Sequence, residues 1–168
     1  MDKKLIGLVI VSILAVVTVS GCIGDNSDST VYDGLVFNNG DISFNYPSDW
    51  KNFTSSSHNS AQVASLKTDK GDTSLLSVYI DSANYSIDEY KSLNEPNPGE
   101  TLISSGDITI DGVKGFDISL KYYESGGGEQ RIIGFIKNGY FYRIIFTTGD
   151  LKVINSDMDL VINSFKVL

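Results

Sequence analysis

Gln130-Arg131-Ile132-Ile133-Gly134-Phe135-Ile136-Lys137-Asn138-Gly139-Tyr140-Phe141-Tyr142-Arg143-Ile144-Ile145-Phe146 is the stretch that decides the fold. Asn138-Gly139 at its centre is a two-residue hairpin signal, because a type I′ turn needs left-handed φ at both central positions and these residues accept it. Folding the stretch about that turn pairs Lys137 with Tyr140, Phe135 with Tyr142 and Ile133 with Ile144 on one face. On the other face lie Ile136 with Phe141, Gly134 with Arg143 and Ile132 with Ile145. Successive strand side chains point to opposite faces, so both faces of this ribbon are apolar. Such a ribbon must be covered on both sides, which predicts the middle of a sheet with helices or long loops above and below.

Working outward, Ile42, Phe44 and Tyr46 alternate with Ser43 and Asn45, a half-buried strand stopped by Pro47 and followed by Trp50 as a core plug. Residues 62–68 and 75–80 are strand-like and flank Asp69-Lys70-Gly71-Asp72, a second hairpin. A third joins residues 103–110 to 113–123 through Asp111-Gly112, and Ser125-Gly126-Gly127-Gly128 makes a looser connection to the central ribbon. Ser86-Ile87-Asp88-Glu89 reads as a capping box with Tyr85 and Tyr90 as its hydrophobic staple, so a short helix should run to about Leu93, before Pro96 and Pro98. Leu151, Ile154, Met158 and Val161 recur at helical spacing up to Asn163. Asn155-Ser156-Asp157 is poor helix material, so that helix is expected to start late or fray, and Phe165 and Val167 suggest a terminal strand. The fold class expected is α+β: a central antiparallel β-sheet flanked by helices on both faces.

The N-terminus has a different composition. Lys3 and Lys4 precede an uncharged apolar run over residues 5–19, which ends in Val19-Ser20-Gly21-Cys22. This is the layout of a secretory signal, and its last four residues resemble the lipobox of prokaryotic lipoproteins. Residues 1–21 are therefore expected to be a signal peptide, with Cys22 the site of lipid attachment. Two long lipid chains hold a protein stably on a bilayer where one holds it marginally. The alternative is an uncleaved helix, since about 20 apolar residues suffice to span a membrane. Either way the rest of the chain lies on the extracytoplasmic side of the cell membrane. Residues 22–34, rich in Asp, Ser and Asn, read as a flexible tether, and residues 35–168 as one globular domain.

Cys22 is the only cysteine, so neither an intramolecular disulfide nor a Cys-based zinc site is available. The formal net charge is -8, and beyond the leader Lys and Arg are scattered singly. Nucleic acid and anionic lipid headgroups require basic patches, so neither is expected as a partner.

The opening strand Ile42-Ser43-Phe44-Asn45-Tyr46-Pro47-Ser48-Asp49-Trp50, the long antiparallel hairpins and a closing helix running into Asn163-Ser164-Phe165 together resemble the PsbP-like, or Mog1/PsbP, family over residues 35–168. The resemblance is in particular to the short PsbP-related lipoproteins of archaea. It implies a central antiparallel sheet sandwiched between helices, in agreement with the two-faced ribbon. Members of the family attach to a photosynthetic oxygen-evolving complex or to a small GTPase, but they share no contact motif that maps onto numbered residues here. The resemblance implies a docking or accessory module and nothing narrower.

Catalytic patterns are sparse. His58 is the only histidine, it sits in a Ser-rich polar loop, and no Gly-x-Ser-x-Gly elbow accompanies it. Gly126-Gly127-Gly128 lacks the Lys-Ser/Thr of a phosphate loop, and neither Asp69-Lys70-Gly71-Asp72 nor Asp157-x-Asp159 supplies a calcium ligand set. No metal and no cofactor are expected. Arg131 and Arg143 turn toward otherwise apolar faces, with Gly134 leaving space beside Arg143. Asp117 and Glu129 are candidate partners for a structural ion pair, the favoured reading. The alternative is a ligand pocket formed by Arg143, Arg131 and Tyr142, in which the surrounding tyrosines help to bind a small anion or sugar. Asn52-Phe53-Thr54 and Asn84-Tyr85-Ser86 fit the glycan acceptor pattern. The function expected is a noncatalytic accessory module for another envelope protein. A small-ligand receptor is the alternative and a hydrolase the remaining one.

Overall fold

Asn138 and Gly139 both adopt left-handed φ, 53° and 81°, so the chain reverses in two residues and the central ribbon forms in the expected register. The computed structural model describes residues 34–53, 61–123 and 127–168. The leader, Cys22, the tether up to residue 33, His58, Ser125 and Gly126 lie outside the described residues.

The elements in chain order are β1 (Gly34–Asn38), β2 (Ile42–Pro47), β3 (Lys51–Asn52), β4 (Gln62–Thr68), β5 (Ser74–Ser82), α1 (Ile87–Ser92), β6 (Glu100–Ile110), β7 (Val113–Tyr122), β8 (Gly128–Lys137), β9 (Tyr140–Thr148), α2 (Asn155–Ser164) and β10 (Lys166–Val167). Short 3₁₀ turns precede β5 and α2. Seven strands form an antiparallel sheet in the order β3-β4-β5-β9-β8-β7-β6. Asp111 and Gly112 also take left-handed φ, 47° and 78°, so the β6–β7 hairpin turns by the same device as β8–β9.

The two faces of the sheet feed separate cores. Leu66, Leu76, Val78, Ile133, Phe135, Ile144 and Phe146 pack on one side with Ile42 and Phe44 of β2 and with Met158, Val161 and Ile162 of α2. Phe116, Ile118, Leu120, Ile132 and Phe141 pack on the other side with Tyr90 of α1. The architecture is α+β but dominated by sheet: α1 has six residues and α2 ten. A second, three-stranded sheet, β1-β2-β10, shares the first core with α2, so the strand at residues 42–46 does not belong to the central sheet. β1 is almost wholly exposed and carries no alternating pattern, which explains why its sequence does not announce a strand.

Local signals are realised as read. Ser86 Oγ accepts from the Glu89 amide, the Glu89 carboxylate accepts from the Ser86 amide, and the Tyr85 ring meets Tyr90 edge-on at 5.4 Å. The closing helix starts late: residues 151–154 form a 3₁₀ turn and the α-helix begins at Asn155. Asp157 in this weak stretch is buried and accepts from Trp50 Nε1 and Lys70 Nζ, each at 2.8 Å. Trp50 is therefore both a core plug and a hydrogen-bond donor. Among the described residues no helix is long and apolar enough to cross a membrane.

Candidate functional site

Strand register separates the residues that the sequence suggested as one pocket. Arg131 lies opposite Ser119 and Phe146, whereas Arg143 lies opposite Gly134 and Tyr79. The alternation of the strands puts Arg131 and Tyr142 on the β2/α2 face and Arg143 on the α1 face. Arg143, Arg131 and Tyr142 therefore do not share a cleft, because side chains of opposite parity in adjacent strands cannot converge through the sheet.

Arg131 forms the ion pair expected of it. Its Nε and Nη2 meet the two carboxylate oxygens of Asp117 at 3.1 and 2.7 Å, and Asp159 of α2 stands 3.9 Å away. This forked geometry satisfies the guanidinium and ties β7 to β8. Glu129, the other candidate partner, instead accepts from the Leu151 amide at 3.0 Å and faces Lys121 at 3.7 Å. Tyr142 is buried and stacked on Phe135 with ring centroids 5.0 Å apart. Burial pushes its hydroxyl pKa up, and the charge of Asp41 adds to the shift. Of the other tyrosines on these hairpins, Tyr123 and Tyr140 are exposed, whereas Tyr122 donates to Gln130 at 2.5 Å.

Arg143 differs. Among the described residues its side chain makes no ion pair and no hydrogen bond; its contact is the Tyr79 ring, 5.0 Å from the guanidinium carbon. Its Nε is buried without an acceptor, which costs about 1–3 kcal/mol. A cation over an aromatic face recovers only part of that. The space expected beside Gly134 is filled: a Cβ there would lie 2.4 Å from the Phe116 ring and 3.0 Å from Phe141. The open space lies toward α1 instead, in a cavity of about 290 Å³ lined by Arg143, Asp81, Asn84, Tyr90, Asn94 and Phe141, among others. Asp81 is exposed and likewise has no partner among the described residues. Tyr90 forms the floor, its ring stacked on Phe141 at 3.7 Å and its hydroxyl accepting from the Asn84 amide at 3.0 Å. Asp81 and Tyr79 join this site because β5 pairs with β9, a contact that their distance in sequence conceals.

A second open surface is the β6 edge of the central sheet. β6 is eleven residues long and Thr101 to Asp107 are all exposed, with Leu102 at 46% and Ile103 at 49%. One side of such a strand carries backbone donors and acceptors with no strand beside them. The opposite edge, β3, is two residues long and begins with Lys51. Among the described residues, no group of three His, Cys, Asp or Glu side chains could hold a metal ion.

Comparison with known proteins agrees with this architecture. A family model described as PsbP-like protein matches residues 6–167. No curated protein matches significantly. Among solved structures, cyanobacterial PsbP (CyanoP) from Synechocystis sp. PCC 6803 superposes with a TM-score of 0.61 at 14% identity, covering 87% of this chain and 99% of its own. The Ran-binding protein Mog1p of Saccharomyces cerevisiae gives 0.58 at 9% identity, covering 81% and 96%. LpqN of Mycobacterium tuberculosis, involved in cell envelope biogenesis, gives 0.57 at 12% identity, covering 80% and 90%. At these identities the likeness is one of fold.

Proposed function

Because the chain belongs to the PsbP-like family, we propose that it is a noncatalytic docking module, tethered through lipid on Cys22 to the extracytoplasmic face of the membrane in the manner of an archaeal lipoprotein. The β6 edge is the observation that carries this reading. An eleven-residue strand exposed over seven consecutive positions offers a ready row of backbone groups to an extended segment of a partner. On this reading the sequence of residues 1–21 acts as a leader that would export the domain, and residues 22–34 would serve as its tether. Two fold neighbours fit the theme of service to another component: Mog1p binds Ran, and LpqN is involved in cell envelope biogenesis.

Crosslinking on whole cells tests the proposal. The wild-type chain should capture a discrete envelope protein, and Ile103→Lys, which sets a charge on the exposed edge without touching either core, should lower that yield severalfold. Capture of no specific neighbour, or capture indifferent to Ile103→Lys, would refute edge docking. Cys22→Ser should release the chain from membranes. Unchanged partitioning with the leader intact would replace the lipid anchor by a retained helix.

A further inference from the structure

The cleft between β5, β9 and α1 holds two opposite charges whose side chains form no ion pair or hydrogen bond with each other or with any other group among the described residues. Arg143 lies opposite Tyr79, and Asp81 lies opposite Phe141 two residues along, so the two are diagonal neighbours on one face of the sheet. Diagonal neighbours stand about 7–8 Å apart at the backbone, within reach of a long side chain. Arg143 instead lies over the Tyr79 ring, and its buried Nε finds no acceptor. Between them is a cavity of about 290 Å³, at the small end for ligand pockets. Its walls add polar capacity: Asn94 donates one N–H to the Tyr90 carbonyl at 2.7 Å, and the Asn84 side chain has no bond to protein among the described residues.

These features select a class of ligand. A simple anion suits Arg143 but meets the unneutralised carboxylate of Asp81 and a chain of net charge -8. A simple cation meets the reverse conflict. A sugar would want an open aromatic face, but the Tyr90 and Phe141 rings are stacked on each other at 3.7 Å and Arg143 occupies the face of Tyr79. A molecule bearing both charges on neighbouring atoms satisfies both side chains at once. We propose that this cleft binds a free α-amino acid, its carboxylate held by the Arg143 guanidinium, its ammonium by Asp81 with Asn94 beside it, and its side chain against Leu93 and the edge of Phe141. The site is independent of edge docking through β6.

Isothermal titration of the full chain in detergent micelles, with leucine as the probe, tests this. Leucine should bind the wild type, and Arg143→Gln and Asp81→Asn should each weaken binding roughly tenfold or more. Acetate, methylamine and glucose at matched concentration should not displace it. Undetectable leucine binding at millimolar concentration, full affinity in both variants, or displacement by acetate alone would overturn the proposal, the last marking a plain anion site. Asp81 is exposed, so Asp81→Asn carries the test even if Arg143→Gln disturbs folding. Trp50 emission, remote from the cleft on the other core, verifies the fold of each variant.

Discussion

Replacing Asp111 by Asn should cost the domain about 2 kcal/mol at neutral pH and leave its backbone intact. Asp111 holds a left-handed φ of 47° in the β6–β7 turn, a conformation that Asn also tolerates, so the substitution keeps the turn while it removes the charge and replaces one acceptor oxygen by a donor. Its carboxylate accepts from Lys137 Nζ at the end of β8, from Lys166 Nζ at 3.2 Å and from the Val167 amide of β10 at 3.0 Å. One side chain thus pins two hairpins and the C-terminal strand. Burial pushes this carboxyl upward, since the side chain is 11% exposed, but the three donors outweigh burial and hold its pKa down at about 2. A depression from 3.8 to about 2 corresponds to about 2 kcal/mol. The folded value lies below the unfolded one, so the stability is present above about pH 4 and is lost as pH falls toward about 2. Urea melts followed by Trp50 fluorescence should show the loss at pH 7, and thermal melts should show a Tm lowered by about 7 °C. The acid-dependent loss should shrink in the variant by the same amount. An Asn variant within about 0.5 kcal/mol of wild type, or one with an unchanged acid dependence, would refute the assignment of this stability to the Asp111 charge.

Gly134→Ala should destabilise by about 1–3 kcal/mol, because its Cβ would stand 2.4 Å from the Phe116 ring, whereas Gly106→Ala, which meets open space, should be near neutral in the same melts. Lys70→Met leaves Asp157, 4% exposed at its side chain, with the Trp50 indole as its main donor; a loss of about 2 kcal/mol and a shift in Trp50 emission should follow. Burial pulls the Lys70 ammonium down, but bonds to Asp157 and Asp49 raise it on balance, so its contribution should hold below pH 10.5 and fade as pH rises further in a wild-type alkaline titration.

What was legible in the sequence was what nearest neighbours along the chain determine. The Asn138-Gly139 register, the Asp111-Gly112 turn and the Ser86/Glu89 box each depend on a few adjacent residues, and each formed as read. The Arg131–Asp117 pair was also accessible, since both residues sit on strands joined by one loop. The Arg143 cleft was not. Tyr79 and Asp81 reach it only because β5 docks on β9, and no local pattern states which strand a two-faced ribbon accepts as its neighbour. The Trp50–Asp157–Lys70 network was not legible either: Asp157 read as poor helix material, and its partners lie 107 and 87 residues earlier in the chain.

The two ends of the central sheet show how the same physics that builds the core leaves its two edges unlike. Seven strands antiparallel to one another leave two edges, and the β3 edge is blunted in a familiar way, by brevity and a lysine. β6 has neither: over eleven residues it carries Glu100 and Asp107 but no Lys and no Pro. Its register break between Leu102 and Ser104 twists one point of the ladder and leaves the run from Ser104 to Ile110 in continuous pairing with β7. Nothing in the packing requires that run to be exposed on its outer side, because its inward residues Ile108 and Ile110 already serve the first core. A strand kept long, nearly uncharged and open in a chain whose acidity opposes self-association is better matched to an outside segment than to another copy of itself.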